Sequence, residues 1–303
     1  MNILVTGANG QLGNEMRIVS KRSSDRYIFT DVEELDITNR DAVMNFVKEN
    51  DIKVVVNCAA YTNVDEAEDD EVTAELINVQ AVKHLAEACK SNEATLIHIS
   101  TDYVFGGNEG NTPRTEDEPV NPTGAYGRTK LHGEQAIQEV GCNYLIIRTA
   151  WLYSEFGNNF VKTMRRLTSE RDKLNVVFDQ IGTPTYTRDL AVLLADMIGT
   201  EKYGYYHATN EGGFISWYDF TCEIYRQAGY TTKVLPVTTA EYGLSKAARP
   251  FNSRLDKSKL SRNGFTPLPD WKDALARYLD ILEKNGELPV RVMRGAATDR
   301  LQG

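Results

Sequence analysis

An α/β fold, a doubly wound and mostly parallel Rossmann sheet with a smaller C-terminal substrate-binding lobe, is predicted by three observations. Short apolar runs alternate with helical patterns from the first residue; the first run opens into a glycine-rich turn; and the regular alternation fades after residue 155. The elements follow in order. Ile3–Val5 reads as a buried strand and Gly13–Ser20 as the start of a helix. Tyr27–Asp31 is a second strand. Asn39–Glu49, apolar at positions 42, 43, 46 and 47, has helical spacing. Lys53–Asn57 is a third strand. Glu71–Lys90 reads as one long helix with Leu76, Val79, Val82, Leu85 and Ala86 along one face. Ala94–Ile99, Gly127–Glu139 and Tyr144–Ile147 complete a strand, helix, strand series.

Near-continuous apolar strands of this kind belong to a parallel sheet covered on both faces, which binds ligands at the carboxyl ends of its strands. Residues 1–155 are therefore expected to form a dinucleotide-binding domain. Residues 156–286 are expected to supply late sheet elements and a small substrate-binding lobe, with helices over Asn159–Arg171, Arg188–Ile198, Ser216–Ala228 and Trp271–Lys284. The tail 287–303 carries no assignable pattern.

The 303 residues carry a net charge of −9, which favours solubility and argues against non-specific nucleic-acid binding. Cys58, Cys89, Cys142 and Cys222 form no C-x-x-C pair and have no histidine cluster beside them, so free thiols in a reducing cytoplasm are expected rather than zinc or a disulfide framework. The N-terminal residues run straight into a strand pattern without the charged and apolar regions of a signal peptide, and no apolar run is long enough to cross a bilayer.

Two motifs carry chemistry. Gly7, Gly10 and Gly13 form G-x-x-G-x-x-G between the first strand and the first helix, the context a pyrophosphate-binding loop requires. Asp31 ends the second strand 18 residues later, where an acid can bond ribose hydroxyls and repel a 2′-phosphate, a lean towards NADH. Asp36 and Ile37 lie where they can reach an adenine, and Ala59–Thr62 follows the third strand into the same crevice. The second motif is Tyr126-x-x-x-Lys130, which places both side chains on one face of a helix. There the lysine is expected to lower the phenol's pKa for proton transfer. Tyr242 and Lys246 repeat the spacing, but without a preceding strand end. Ser100 and Thr101 end the fourth strand, where a hydroxyl can hydrogen-bond a carbonyl oxygen.

Glycine loop, strand-end Ser-Thr and Y-x-x-x-K in this order resemble the extended short-chain dehydrogenase/reductase family. Ser100–Phe105, Asn121–Gly127, Arg148–Trp151, Asn158–Phe160, Asp179–Pro184 and Arg249–Leu260 together narrow the resemblance, over roughly residues 1–285, to the dTDP-4-dehydrorhamnose reductase family. The resemblance implies NADH- or NADPH-dependent reduction of the C4 ketone of dTDP-6-deoxy-L-lyxo-4-hexulose to dTDP-L-rhamnose. By matching position it implies Tyr126 as proton donor, Lys130 as its partner and nicotinamide-ribose ligand, and Thr101 as the group polarising the ketone. It further implies Thr101, Asp102 and Trp151 as substrate contacts. The cofactor contacts it implies are Gly7, Gly10, Gln11, Leu12, Gly13, Asp31, Asp36, Ile37, Ala60, Tyr61, Thr62, Tyr126 and Lys130. Some members form dimers around Mg2+, and Glu15 occupies the matching helix position; a monomer or a homodimer is expected, and no other metal. A non-catalytic regulatory module of the same fold, or an epimerase or dehydratase, are the competing readings. Intact Thr101, Tyr126 and Lys130 argue against the first, and the lack of a Glu beside Asp102 argues against a dehydratase.

Overall fold

The computed structural model describes residues 1–106, 110–243 and 245–287; residues 288–303, nearly all of the unassigned tail, lie outside the described residues. Strands β1 (Asn2–Thr6), β2 (Arg26–Thr30), β3 (Ile52–Asn57), β4 (Thr95–Thr101) and β5 (Asn143–Thr149) alternate with helices α1 (Gln11–Ser20), α2 (Arg40–Glu49), α3 (Glu71–Glu75), α4 (Ala81–Ser91) and α5 (Ala125–Val140). The second half adds β6 (Leu152–Tyr153), α6 (Phe160–Glu170), β7 (Lys173–Val177), β8 (Ile181–Gly182), β9 (Thr185–Tyr186), α7 (Thr187–Met197) and β10 (Gly204–His207). It ends with β11 (Ile215–Ser216), α8 (Trp217–Ala228), β12 (Lys233–Val237), α9 (Thr239–Tyr242), α10 (Ser258–Arg262) and α11 (Trp271–Lys284).

The main sheet is parallel throughout, in the order β10-β5-β4-β3-β1-β2. Its sixth strand therefore comes from residues 204–207, on the edge beside β5. Strand alternation divides the core in two. Ile3, Val5, Val54, Val56 and Ile97 pack under α1 and α7, whereas Leu4, Val55, Leu96 and Ile146 pack under α2, α4 and α5. β2 and β3 flank β1 on opposite sides, so the chain reverses direction across the sheet at β1 and opens a crevice there. A third core, built on Tyr153, Tyr186, Phe220, Trp271 and Tyr278, holds α6, α8 and α11 together beyond the strand ends.

Local signals explain the boundaries. Asn39 caps α2 by accepting from the Ala42 amide at 3.1 Å, and Ser216 with Asp219 forms a reciprocal capping box on α8. One expectation fails. The single helix over Glu71–Lys90 is interrupted by a π turn at Leu76–Gln80. The extra residue turns Asn78 inward and leaves Leu76 exposed. Asn78 is buried because it has polar work to do: its amide accepts from the Tyr61 backbone N–H at 2.9 Å and donates to Thr129 Oγ1 at 3.0 Å. Gly133 of α5 sits so close to the Asn78 carbonyl that no side chain fits there.

Candidate active site

The glycine turn closes on the next strand's loop. Gly7 has φ +63°, and a Cβ there would lie 2.6 Å from the Ala59 amide nitrogen; one on Gly13 would lie 2.5 Å from Ala8 Cα. Both glycines thus bring α1 against the ends of β1 and β3. Gly10 is the N-cap residue of α1 and offers no side-chain acceptor, so the first-turn amides of Gln11, Leu12 and Gly13 leave the helix end uncapped. An uncapped helix N-terminus behind a glycine turn, at the sheet's reversal point, fits the pyrophosphate of a dinucleotide.

Asp31 is not a free acid beside this loop. Its Oδ2 accepts from the Asn9 amide at 2.9 Å and its Oδ1 from the Val32 amide at 2.9 Å, so both oxygens pin the turn. Asp36 similarly takes the Thr38 amide and hydroxyl at 2.9 and 2.7 Å, while Ile37 is buried under α4 and accepts from His84. Ala60, Tyr61 and Thr62 follow β3 along the same crevice, with Tyr61 held by Asn78 at both its N–H and its carbonyl.

Strand β4 delivers Thr101 and Asp102 to the same end of the sheet, and α5 delivers Tyr126 and Lys130. The Thr101 hydroxyl donates to Asp102 Oδ1 at 3.1 Å, accepts from the Tyr103 amide at 3.2 Å and lies close enough to Tyr126 to act on its phenol. Tyr103 packs edge-on against Tyr126, with ring centroids 5.3 Å apart. Glu68 caps α5 through the Ala125 amide at 2.8 Å, which fixes the helix end that carries Tyr126.

The electrostatics correct one expectation. Lys130 does not lower the Tyr126 pKa: its ammonium donates to the Ile99 carbonyl at 2.7 Å and faces His98 Nε2 at 3.5 Å. Burial pushes the Tyr126 phenol well up, with Thr101 offsetting part of that rise and the Asp102 charge adding to it. Burial likewise brings Lys130 down to about 8, against an opposing attraction from Glu134. Asp102 rises to about 6, chiefly from burial, with the Ser253 and Thr101 side chains offsetting part of that rise, and no donor meets its Oδ2 at hydrogen-bond geometry. A buried, unpartnered carboxylate oxygen at a strand end suits a ligand hydroxyl.

Trp151 follows β5 with φ +53° and stacks on Trp217 at 3.7 Å between ring centroids. Gly182 leaves the room it needs: a Cβ there would touch its ring at 3.1 Å. Beyond lies a cavity of about 370 Å³ lined by Phe160, Met164, Val176, Gln180, Trp217 and Arg249 among others. Arg249 joins the cavity to the strand ends, bonding Asp65 at 2.8 Å and the Tyr103 hydroxyl at 3.3 Å. Tyr103 and Arg249 lie inside segments that carried the resemblance, but their contact, and the parts played by Asp65 and Trp217, appear only once the lobe folds against the sheet.

Two further candidates resolve differently. Tyr242 ends the short helix α9 and Lys246 pairs with Asp69, so the second Y-x-x-x-K does not lie along one helix. Glu15, expected as a possible metal ligand at a dimer interface, is wholly buried within the subunit. It pairs with Arg188, which also reaches Glu155 at 3.6 Å, and accepts from Ser154 Oγ at 3.2 Å. Burial and the adjoining Glu155 push the Glu15 carboxyl up to about 8, with Arg188 offsetting part of that rise, and a carboxyl that keeps its proton beside a guanidinium does not fit a magnesium ion. Among the described residues no group of acidic, histidine or cysteine side chains is arranged to hold a metal, and no helix is long and apolar enough to cross a membrane.

Known proteins with this architecture are close. The sequence model of the family described as RmlD substrate binding domain matches residues 1–284. A dTDP-4-dehydrorhamnose reductase of Streptomyces griseus is 42% identical over 294 residues, spanning 95% of this chain and 96% of its own. A solved dTDP-4-dehydrorhamnose reductase of Clostridium acetobutylicum is similar at a TM-score of 0.90 and 47% identity, covering 93% of this chain and all of that one. Another, of Bacillus anthracis in complex with NADP, has a TM-score of 0.88 and 41% identity, covering 92% and 99%.

Proposed function

The chain belongs to the dTDP-4-dehydrorhamnose reductase family, and on that premise we propose how its own residues carry out the reduction of the C4 ketone of dTDP-6-deoxy-L-lyxo-4-hexulose to dTDP-L-rhamnose. The observation that carries the reading is the meeting of Thr101 and Tyr126 at the strand ends beside the uncapped start of α1. The cofactor is NAD(P)H; a bound NADP in the Bacillus anthracis relative and the commitment of both Asp31 oxygens to the loop favour tolerance of NADPH. When bound, the reduced nicotinamide supplies a hydride.

Tyr126 is the proton donor. A phenol held above its usual pKa keeps its proton at neutral pH and releases it only to a strong base such as a forming alkoxide. The Thr101 hydroxyl, which donates to Asp102 at rest, can turn to the phenol oxygen and stabilise the phenolate left behind. Lys130, on the same helix face, contributes positive charge and N–H donors for the nicotinamide ribose. Asp102 accepts a sugar hydroxyl on its unpartnered oxygen, and Trp151 walls the sugar against the lobe. Arg249, Trp217 and Phe160 make the cavity suitable for the nucleotide, with a cation for phosphate and aromatic faces for the base. The four free thiols suit a reducing compartment, the cytoplasm.

The test supplies the 4-keto-6-deoxy sugar nucleotide with NADPH or NADH and follows loss of reduced-nicotinamide absorbance. No turnover with either cofactor would sink the assignment. Tyr126→Phe is expected to lose turnover by at least about a hundredfold while binding cofactor normally, and Tyr242→Phe to retain it.

A further inference from the structure

A buried polar chain runs from the phosphate loop to Lys130. Thr6 Oγ1 donates to Asn57 Oδ1 at 2.7 Å, and so does the Ala59 backbone amide at 3.1 Å. Asn57 Nδ2 meets His98 Nδ1 at 3.0 Å, and His98 Nε2 meets Lys130 Nζ at 3.5 Å. Thr6, Asn57, His98 and Lys130 are all essentially inaccessible to solvent.

The backbone gives this chain a direction. A peptide N–H only donates, so the Asn57 atom beside Ala59 is the carbonyl oxygen, and the atom facing His98 is the amide nitrogen. That nitrogen donates, so His98 Nδ1 accepts with its lone pair. Burial keeps the ring neutral, and the single ring proton is therefore on Nε2. Lys130 is thus offered an N–H donor where its ammonium needs an acceptor. Its amine, with a free lone pair, can accept that donor and still give one N–H to the Ile99 carbonyl.

We propose that His98 is a positioning residue for Lys130: the Asn57 relay fixes the Nε2–H tautomer of His98, and this donor aims Lys130 and disfavours its ammonium. The other groups facing Lys130 are few. Glu134, on the same helix, attracts its charge, but that carboxylate is already held by Arg148 of β5 at 2.7 Å and by Ser100 of β4 at 2.5 Å. Tyr126, one turn before it on α5, is held above its usual pKa and is neutral. The relay also ties the lysine to the glycine loop through Ala59, so cofactor seating and the lysine's proton affinity share one set of hydrogen bonds.

The proposal rests on the reading of Lys130 as part of the reductase site, and two measurements separate them. The first uses the full chain labelled with 15N-histidine. His84→Gln and His132→Gln identify the less buried rings, leaving His98 and His207. His207 donates through Nδ1 to the Arg114 carbonyl at 3.0 Å and provides the opposite tautomer as reference. One buried histidine should be Nε2–H and stay neutral through pH 6; finding His98 as Nδ1–H or as imidazolium overturns the proposal, whatever the activity. The second compares turnover against pH. The unaltered enzyme should lose turnover above about 8, as Lys130 deprotonates. His98→Gln, which can turn a carbonyl towards Lys130, should move that fall to about 9, a roughly tenfold gain in proton affinity. An unmoved fall overturns the proposal. Full turnover in Lys130→Met would instead sink the site reading and leave the tautomer result standing.

Discussion

Two glycines of one motif should fail in different ways when each becomes alanine. At Gly13→Ala the new methyl meets backbone: the Gly7 carbonyl, Ala8 Cα at 2.5 Å and Ala8 C at 2.7 Å. Ordinary contact needs about 3.5 Å or more, so α1 must lift off the end of β1 by about 1 Å. Overpacking of this kind costs roughly 1–3 kcal/mol. At about 0.6 kcal/mol per kelvin for a chain of 303 residues, that lowers Tm by roughly 2–5 °C. At Gly10→Ala the backbone already has φ −75° and ψ 179°, which alanine adopts freely, and the only atom near a Cβ is the Gly7 carbonyl oxygen at 3.3 Å. The entropy that alanine removes from the unfolded chain offsets most of the cost of an N-cap alanine, so stability should change by no more than about 0.5 kcal/mol. The methyl instead stands in front of the uncapped helix end, where a pyrophosphate must approach. Cofactor binding should weaken by about tenfold or more, ~1.4 kcal/mol. Thermal unfolding without ligand and fluorescence titration with NADPH read the two effects separately. A Gly10→Ala protein that binds NADPH like the parent would refute the placement of the phosphates.

Other outcomes follow from single contacts. Arg148→Met leaves Glu134 charged and wholly buried without its partner, and should cost about 3–5 kcal/mol in urea unfolding; a change under 1 kcal/mol would show that Ser100 alone suffices. Asp102 is held up at about 6, so its ionisation opposes folding; stability present below about pH 4 falls as pH rises through 6, and Asp102→Asn should flatten that part of the Tm profile. An unchanged slope in the variant would assign it to another group. Because burial and Glu155 hold the Glu15 carboxyl up at about 8, a chelator should leave Tm and turnover unchanged, whereas Arg188→Ala removes the cation those two acids share and should lower stability by roughly 2 kcal/mol after discounting its partial exposure. A loss of turnover on chelation alone would contradict the arrangement of that network.

The parallel sheet and its crevice were legible because they are written locally. Each apolar run marks a strand, and Gly7, Gly10 and Gly13 mark the close approach of loop and helix. The Tyr126 spacing was legible for the same reason: one helix turn fixes it. What spacing could not carry is environment. Lys130 lies near Tyr126 in sequence, yet its N–H donates to the Ile99 carbonyl, and burial rather than charge governs the phenol. Asp31 read as a free acid because its acceptors' partners, Asn9 and Val32, are backbone amides that any residue provides. The π turn at Asn78 escaped periodicity because a buried asparagine looks polar, and only its partners Tyr61 and Thr129 explain it. Arg249 and Trp217 reach the site from far along the chain, so no window of neighbouring residues contains them.

The late strand β10 has a consequence for how the molecule is made. During synthesis β5 emerges with its outer edge unpaired, and the strand that covers it follows only after some 55 more residues. Throughout that interval the nascent sheet presents a row of open amides and carbonyls, a template for pairing with a neighbouring chain on the same message. Chain growth beyond residue 207, rather than completion of the cofactor crevice, is then the event that removes the hazard. Ribosome-stalled fragments ending near residue 190 should aggregate on release, and those ending past 240, which leave β10 clear of the exit tunnel, should do so far less.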